Sequence, residues 1–131
     1  MNPAYFETRF RTTNPIAGWP AEFVIISAFA TTGETWTVQE AEIADGRLAS
    51  ELIAHGVWLH RVTGYSPTTG HAEPSWAAEI PLDEACVFGL RFHQDAIYRV
   101  EGNRLSVTHC DERHELVDVG SFRSRLDLSD D

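Results

Sequence analysis

The sequence predicts an α+β domain with ferredoxin-like β-α-β-β-α-β order, an antiparallel sheet carrying two helices on one face, and an added C-terminal hairpin strand. Three observations lead there. Phe23-Val-Ile-Ile-Ser-Ala-Phe-Ala30 is a nearly continuous apolar run of strand length. Thr37 and Glu40 form a capping box ahead of a helix-patterned segment. Short alternating segments between residues 57 and 110 are punctuated by glycine, proline and asparagine.

The elements follow in order. Pro3 to Phe10 predicts a short helix with proline in its first turn. Asn14-Pro15 and Gly18-Trp19-Pro20 form a loop. Phe23–Ala30 lacks polar alternation, which predicts a central strand buried on both faces. Residues 31–36 are loop, and the helix from Thr37 to His55 places Ala41, Ala44, Leu48 and Leu52 on one stripe before Gly56 stops it. Gly46 inside that helix points to close packing on the sheet.

Val57–Thr63 and Trp76–Ile80 read as two antiparallel strands flanking the loop 64–76. Asp83 is the expected N-cap of a helix reaching Gln94, with Ala85, Cys86, Gly89 and Leu90 on its apolar side. Ala96–Glu101 and Arg104–Cys110 form a hairpin around Gly102-Asn103. Leu116–Val119 predicts a short edge strand, residues 122–126 fit either a helical turn or an extended arm, and residues 129–131 a frayed acidic end. The 131 residues are read as a single domain.

Composition excludes several functions. The formal net charge is −10, with ten arginines scattered among twenty carboxylates, so a nucleic-acid or anionic-membrane partner is disfavoured. All ten basic residues are arginine, which removes Schiff-base and phosphate-loop lysine chemistry. No apolar run approaches the length of a membrane span, and Met-Asn-Pro-Ala-Tyr-Phe-Glu lacks a signal-peptide pattern, so a cytoplasmic protein is expected. Cys86 and Cys110 lack zinc-ligand spacing and are expected to be free thiols.

Gly64–Trp76 concentrates functional side chains in a loop-like composition. His71-Ala-Glu73 has the His-x-Glu spacing of zinc deaminases, but the Pro-Cys-x-x-Cys that completes such a site is missing. His60, His71, Glu73 and His93 do not share ligand spacing, so neither a metal nor a cofactor is predicted. Ser27 and Ser75 lack a nucleophile elbow, and no glycine-rich phosphate loop is present.

The segments Phe23–Phe29, Glu73-Pro-Ser-Trp76 and Gly89-Leu-Arg-Phe-His-Gln-Asp-Ala-Ile97 together resemble a bacterial domain-of-unknown-function family, number 3293, over roughly residues 20 to 108. Members of that family carry an apolar strand ending in Thr-Ala-Trp-Asn-Pro, a Glu-Pro-Ser element and a Phe-Gly-Gln-(Asp/Asn)-Ala element. Two departures stand out: the Asn-Pro would fall near Ala30-Thr31 and is missing, and the glycine of Phe-Gly-Gln is His93. The resemblance implies no activity, but it draws attention to Glu73, Gln94 and Asp95.

The expected ligand-binding set is therefore Tyr65, His71, Glu73, Gln94 and Asp95, recognising a small polar ligand or a protein partner through the 64–76 loop. A structural reading stands beside it, with Glu73 capping loop N–H groups, Gln94 closing the helix and Asp95 bonding nearby backbone. Two alternatives are an enzyme of hydrolase type using Glu73 as acid or base, and an acidic inhibitor or immunity-type protein for a basic partner.

Overall fold

The computed structural model describes residues 3–12, 18–29, 37–111 and 115–128. The loop expected over 31–36, the Asn14-Pro15 turn and the acidic end at 129–131 lie outside the described residues. Its helices are α1 (Ala4–Glu7), α2 (Val38–Ala54) and α3 (Leu82–Arg91). Its strands are β1 (Arg9–Thr12), β2 (Glu22–Ser27), β3 (Leu59–Tyr65), β4 (Ala72–Ala78), β5 (Ala96–Glu101), β6 (Arg104–His109), β7 (Val117–Ser121) and β8 (Leu126–Leu128).

All eight strands join one sheet in the order β7-β6-β5-β2-β4-β3-β1-β8, curled into a half-barrel. This overturns the ferredoxin-like sheet with one added strand. The middle elements keep their predicted sequence order, but β1 and β8 extend one end of the sheet and β7 the other. The β1–β8 pair is parallel, which makes the sheet mixed. Arg9-Phe-Arg-Thr is also not the second half of a helix. The helix stops at Glu7, and Phe10 pairs with Gly64 on one side and Leu126 on the other. That partnership spans most of the chain, so no local pattern encodes it.

The curl creates two cores. On the convex face α2 and α3 cover Val24, Ile26, Ala78 and Ile97 with Leu48, Leu52, Cys86 and Phe88. On the concave face Phe23, Ile25, Val62, Val100, Leu105 and Val107 close around Phe10 and Phe122. The two-residue period of β2 sends Phe23 and Ile25 inward and Val24 and Ile26 to the helices. That double burial explains the absence of polar alternation at 23–26. Each such side chain contributes roughly 1.5–3 kcal/mol of transfer free energy.

The capping box of α2 forms as its residues dictate. Thr37 Oγ1 accepts the Glu40 N–H at 3.0 Å, and the Glu40 carboxylate reaches back to the Thr37 N–H at 3.5 Å. Gly46 does not mark close packing: it is exposed, and nothing lies within 4 Å of where its Cβ would be. Nor is Asp83 an N-cap. Pro81 holds that position with extended backbone, Leu82 begins α3, and the Asp83 carboxylate accepts the Glu84 N–H at 3.0 Å.

The supposed loop 64–76 is mostly strand. β3 and β4 continue to Tyr65 and Ala72, and only residues 66–71 turn, closed by the Ser66 N–H donating to the His71 carbonyl at 2.8 Å. Pro74 is tolerated inside β4 because its carbonyl faces β2 where the β2–β4 ladder ends, at Ser27 and Ser75. The N–H that proline lacks would have pointed past that end.

Candidate functional site

The motifs at 73–75 and 92–96 meet at one end of the sheet, where β2 ends and β4 and β5 begin. Ser27 Oγ donates to the Pro74 carbonyl at 3.2 Å and accepts the Phe29 N–H at 3.0 Å. Gln94 Nε2 donates to the Phe29 carbonyl at 2.7 Å and to the Phe92 carbonyl at 3.1 Å. Both motifs thus clamp the chain leaving β2. Gln94 is buried and its amide N–H groups are directed at backbone, so it braces the site.

His93, in the family's glycine position, has φ of 59°, in the left-handed region. The chain reverses there, and the Gln94 N–H reaches back to the Gly89 carbonyl at 2.8 Å. The glycine of the family pattern is thereby explained by backbone geometry.

Glu73 points into the half-barrel, on the same face as Ser75 and Ala77. Its carboxylate lies 3.2 Å from His71 Nε2 and its side chain is 31% exposed. Burial pushes its pKa up, against the opposing pull of His71. Tyr5, carried on α1, lies in the field of both Asp95 and Glu73. Burial, then Asp95, then Glu73 push its hydroxyl up to about 12. Tyr98 donates to the Tyr5 carbonyl at 3.0 Å, and burial raises its pKa as well.

Beside them opens a cleft of about 450 Å³ lined by Tyr5, Gln94, Asp95, His109, Cys110 and Asp111 with Leu90 at its side. That size lies within the range of small-molecule sites. Among the described residues its lining contains carboxylates and an imidazole but no arginine.

Tyr65 stands apart from this site. It pairs with Ala72, whereas Glu73 pairs with Gly64, so the two side chains leave opposite faces of the hairpin. The Tyr65 hydroxyl donates to Asp127, and Arg11 lies over its ring at 4.7 Å. His71 is at the rim, its side chain 70% exposed. Sequence reasoning missed Tyr5, Tyr98 and His109. Only the aromatic residues inside otherwise charged or apolar segments pointed to them.

Among the described residues no three histidine, cysteine, aspartate or glutamate side chains gather as a metal set, and no helix is long and apolar enough to cross a membrane. Many carboxylates are engaged by arginine: Asp127 with Arg9, Asp45 with Arg61, Glu51 with Arg91, Glu22 with Arg99.

What the fold and site define is a half-barrel of one mixed, largely antiparallel eight-stranded sheet with three helices, carrying at one end of the sheet a cleft with Asp95 and Asp111 in its lining. The chain belongs to the family described as protein of unknown function (DUF3293), whose model matches residues 26–97. That stretch runs from β2 to the start of β5 and contains both motifs that clamp the β2 end. No curated protein and no solved structure matches the chain.

Proposed function

We propose that this domain binds a small cationic ligand, an amine or guanidine, in the cleft beside Tyr5. One observation carries the reading: the Asp95 carboxylate and the Tyr5 ring line a cavity of about 450 Å³ with no arginine among the described residues of its lining. A cation there gains a charge-assisted contact with Asp95 and the face of an aromatic ring. The ion pairing of many other carboxylates withdraws support from a protein that presents one acidic face to a basic partner. The recognition surface moves accordingly from the 64–76 loop to the cleft, with Asp95 as charge partner and Gln94 as brace, while Glu73 and His71 lie outside its lining.

The test is a thermal-shift and calorimetric panel of agmatine, spermidine and choline against glutamate and phosphate. Amines should stabilise the wild type. Asp95→Asn should weaken that binding by roughly 10- to 100-fold, the value of one charged hydrogen bond. Stabilisation by the anions alone, or amine binding indifferent to Asp95→Asn, would overturn the reading.

A second reading rests on the raised pKa of Glu73 beside His71, which suits a general acid–base. Turnover of a bound amine, abolished by Glu73→Gln while binding to the cleft persists through Asp95, would distinguish it from simple binding.

A further inference from the structure

Cys86 and Cys110 are the chain's two cysteines, 24 positions apart by subtraction of their numbers. The fold brings them together. Cys86 lies on the inner face of α3, and Cys110 follows the last residue of β6. Both belong to the convex-face core, and each is only 3% exposed. The Cys110 side chain rests against α3 at Gly89, three positions after Cys86. The approach depends on Gly89, one turn beyond Cys86 on the same helix face: a Cβ there would collide with the Cys110 sulfur. The helix therefore carries no side chain where the Cys110 thiol rests. Burial raises the pKa of both thiols, that of Cys110 to about 12, so neither is an activated nucleophile at rest. Cys110 also lines the cleft, which gives a small oxidant a route to it.

We infer that Cys86 and Cys110 form a peroxide-responsive dithiol that closes into an intramolecular disulfide between α3 and β6. The inference stands on the shared core cluster of the two cysteines and the seat of Cys110 at the Gly89 gap, and it is independent of what the cleft binds. The chemistry balances in two steps. Cys110, as thiolate, attacks one oxygen of hydrogen peroxide; the O–O bond breaks, the sulfur becomes a sulfenic acid, and hydroxide leaves with a proton as water. Cys86 then attacks that sulfur; the S–S bond forms, the S–O bond breaks, and a second water departs. Two thiols are oxidised, one peroxide is reduced, and no other reactant is needed. Only the small thiolate fraction reacts, so closure is slow and selects for sustained exposure.

The experiment takes the reduced full-length protein, exposes it to excess hydrogen peroxide in its native state, then denatures and alkylates it for mass spectrometry. The expected product is a monomer lighter by two hydrogens, unalkylated at both cysteines, with a Cys86–Cys110 cross-linked peptide that dithiothreitol reverses. Its thermal midpoint should exceed that of the reduced form by at least about 5 °C, as a disulfide closing a loop of this length gives. In Cys86→Ser the same treatment should leave Cys110 as a sulfenic acid trapped by dimedone. Cys86→Ala serves equally if the serine variant fails to fold. Two alkylatable thiols after treatment, intermolecular dimers, or a lowered thermal midpoint would each overturn the inference.

Discussion

His93 holds a left-handed conformation that costs an L-residue roughly 1–2 kcal/mol, at the position where the family pattern carries glycine. His93→Gly should therefore raise stability by up to about 1 kcal/mol, after allowance for the looser unfolded chain, as read from a denaturant titration. Glu73 makes a pH-dependent prediction. Its folded pKa is raised, so the native state holds the proton more tightly than the unfolded chain, whose carboxyl titrates near 4.3. This contribution is fully present below the unfolded value and is lost as pH rises through the folded one. Glu73→Gln abolishes the loss, so its stability relative to wild type should be more favourable at pH 7 than at pH 4. An equal difference at both values would show that the carboxyl is solvated like any surface acid.

Elements differ in how plainly their residues announce them. β2 and α2 were legible because their signals are local: an unbroken apolar run, a hydroxyl and a carboxylate three positions apart. β1 and β8 were not. Arg9-Phe-Arg-Thr offers one apolar residue, and its partner on one side is three residues long. Tyr65 was grouped with Glu73 for a related reason. Which face a strand residue takes depends on hairpin register, and Gly64, Pro67, Gly70 and Pro74 suggested a loop where the ladder in fact runs on to Tyr65 and Ala72. Besides its backbone ladder, the β1–β8 pair carries a bidentate contact, Arg9 Nε to Asp127 Oδ2 at 3.0 Å and Nη2 to Oδ1 at 2.6 Å. Arg9, and after it Tyr65, hold the Asp127 pKa down to about 2. For a depressed carboxyl the stabilisation is present above the unfolded value near 3.9 and is lost as pH falls through the folded one. Asp127→Asn should consequently flatten the stability profile between about pH 4 and 2, measured by acid titration of circular dichroism.

For the whole molecule, the concave core depends on residues that arrive from both ends of the chain. Phe122 is 2% exposed and packs on Phe10, Phe23 and Trp19 with ring centroids 5.9, 5.4 and 5.2 Å away. Phe122→Ala should cost about 3–5 kcal/mol in chemical denaturation. A loss below 1 kcal/mol would show that the half-barrel closes without it. The parallel seam between β1 and β8 also sets a timetable. Arg9 and Asp127 are 118 positions apart, and synthesis proceeds at about 5–20 residues per second. On a ribosome the first strand emerges, then waits some seconds for the segment that will lie beside it. During that interval β3 can already hold one edge of β1, while the other stays open to any strand nearby, including one from a neighbouring nascent chain. Rapid expression should thus favour misassembly at this seam over misassembly at the opposite end of the sheet, where β6 and β7 follow one another closely.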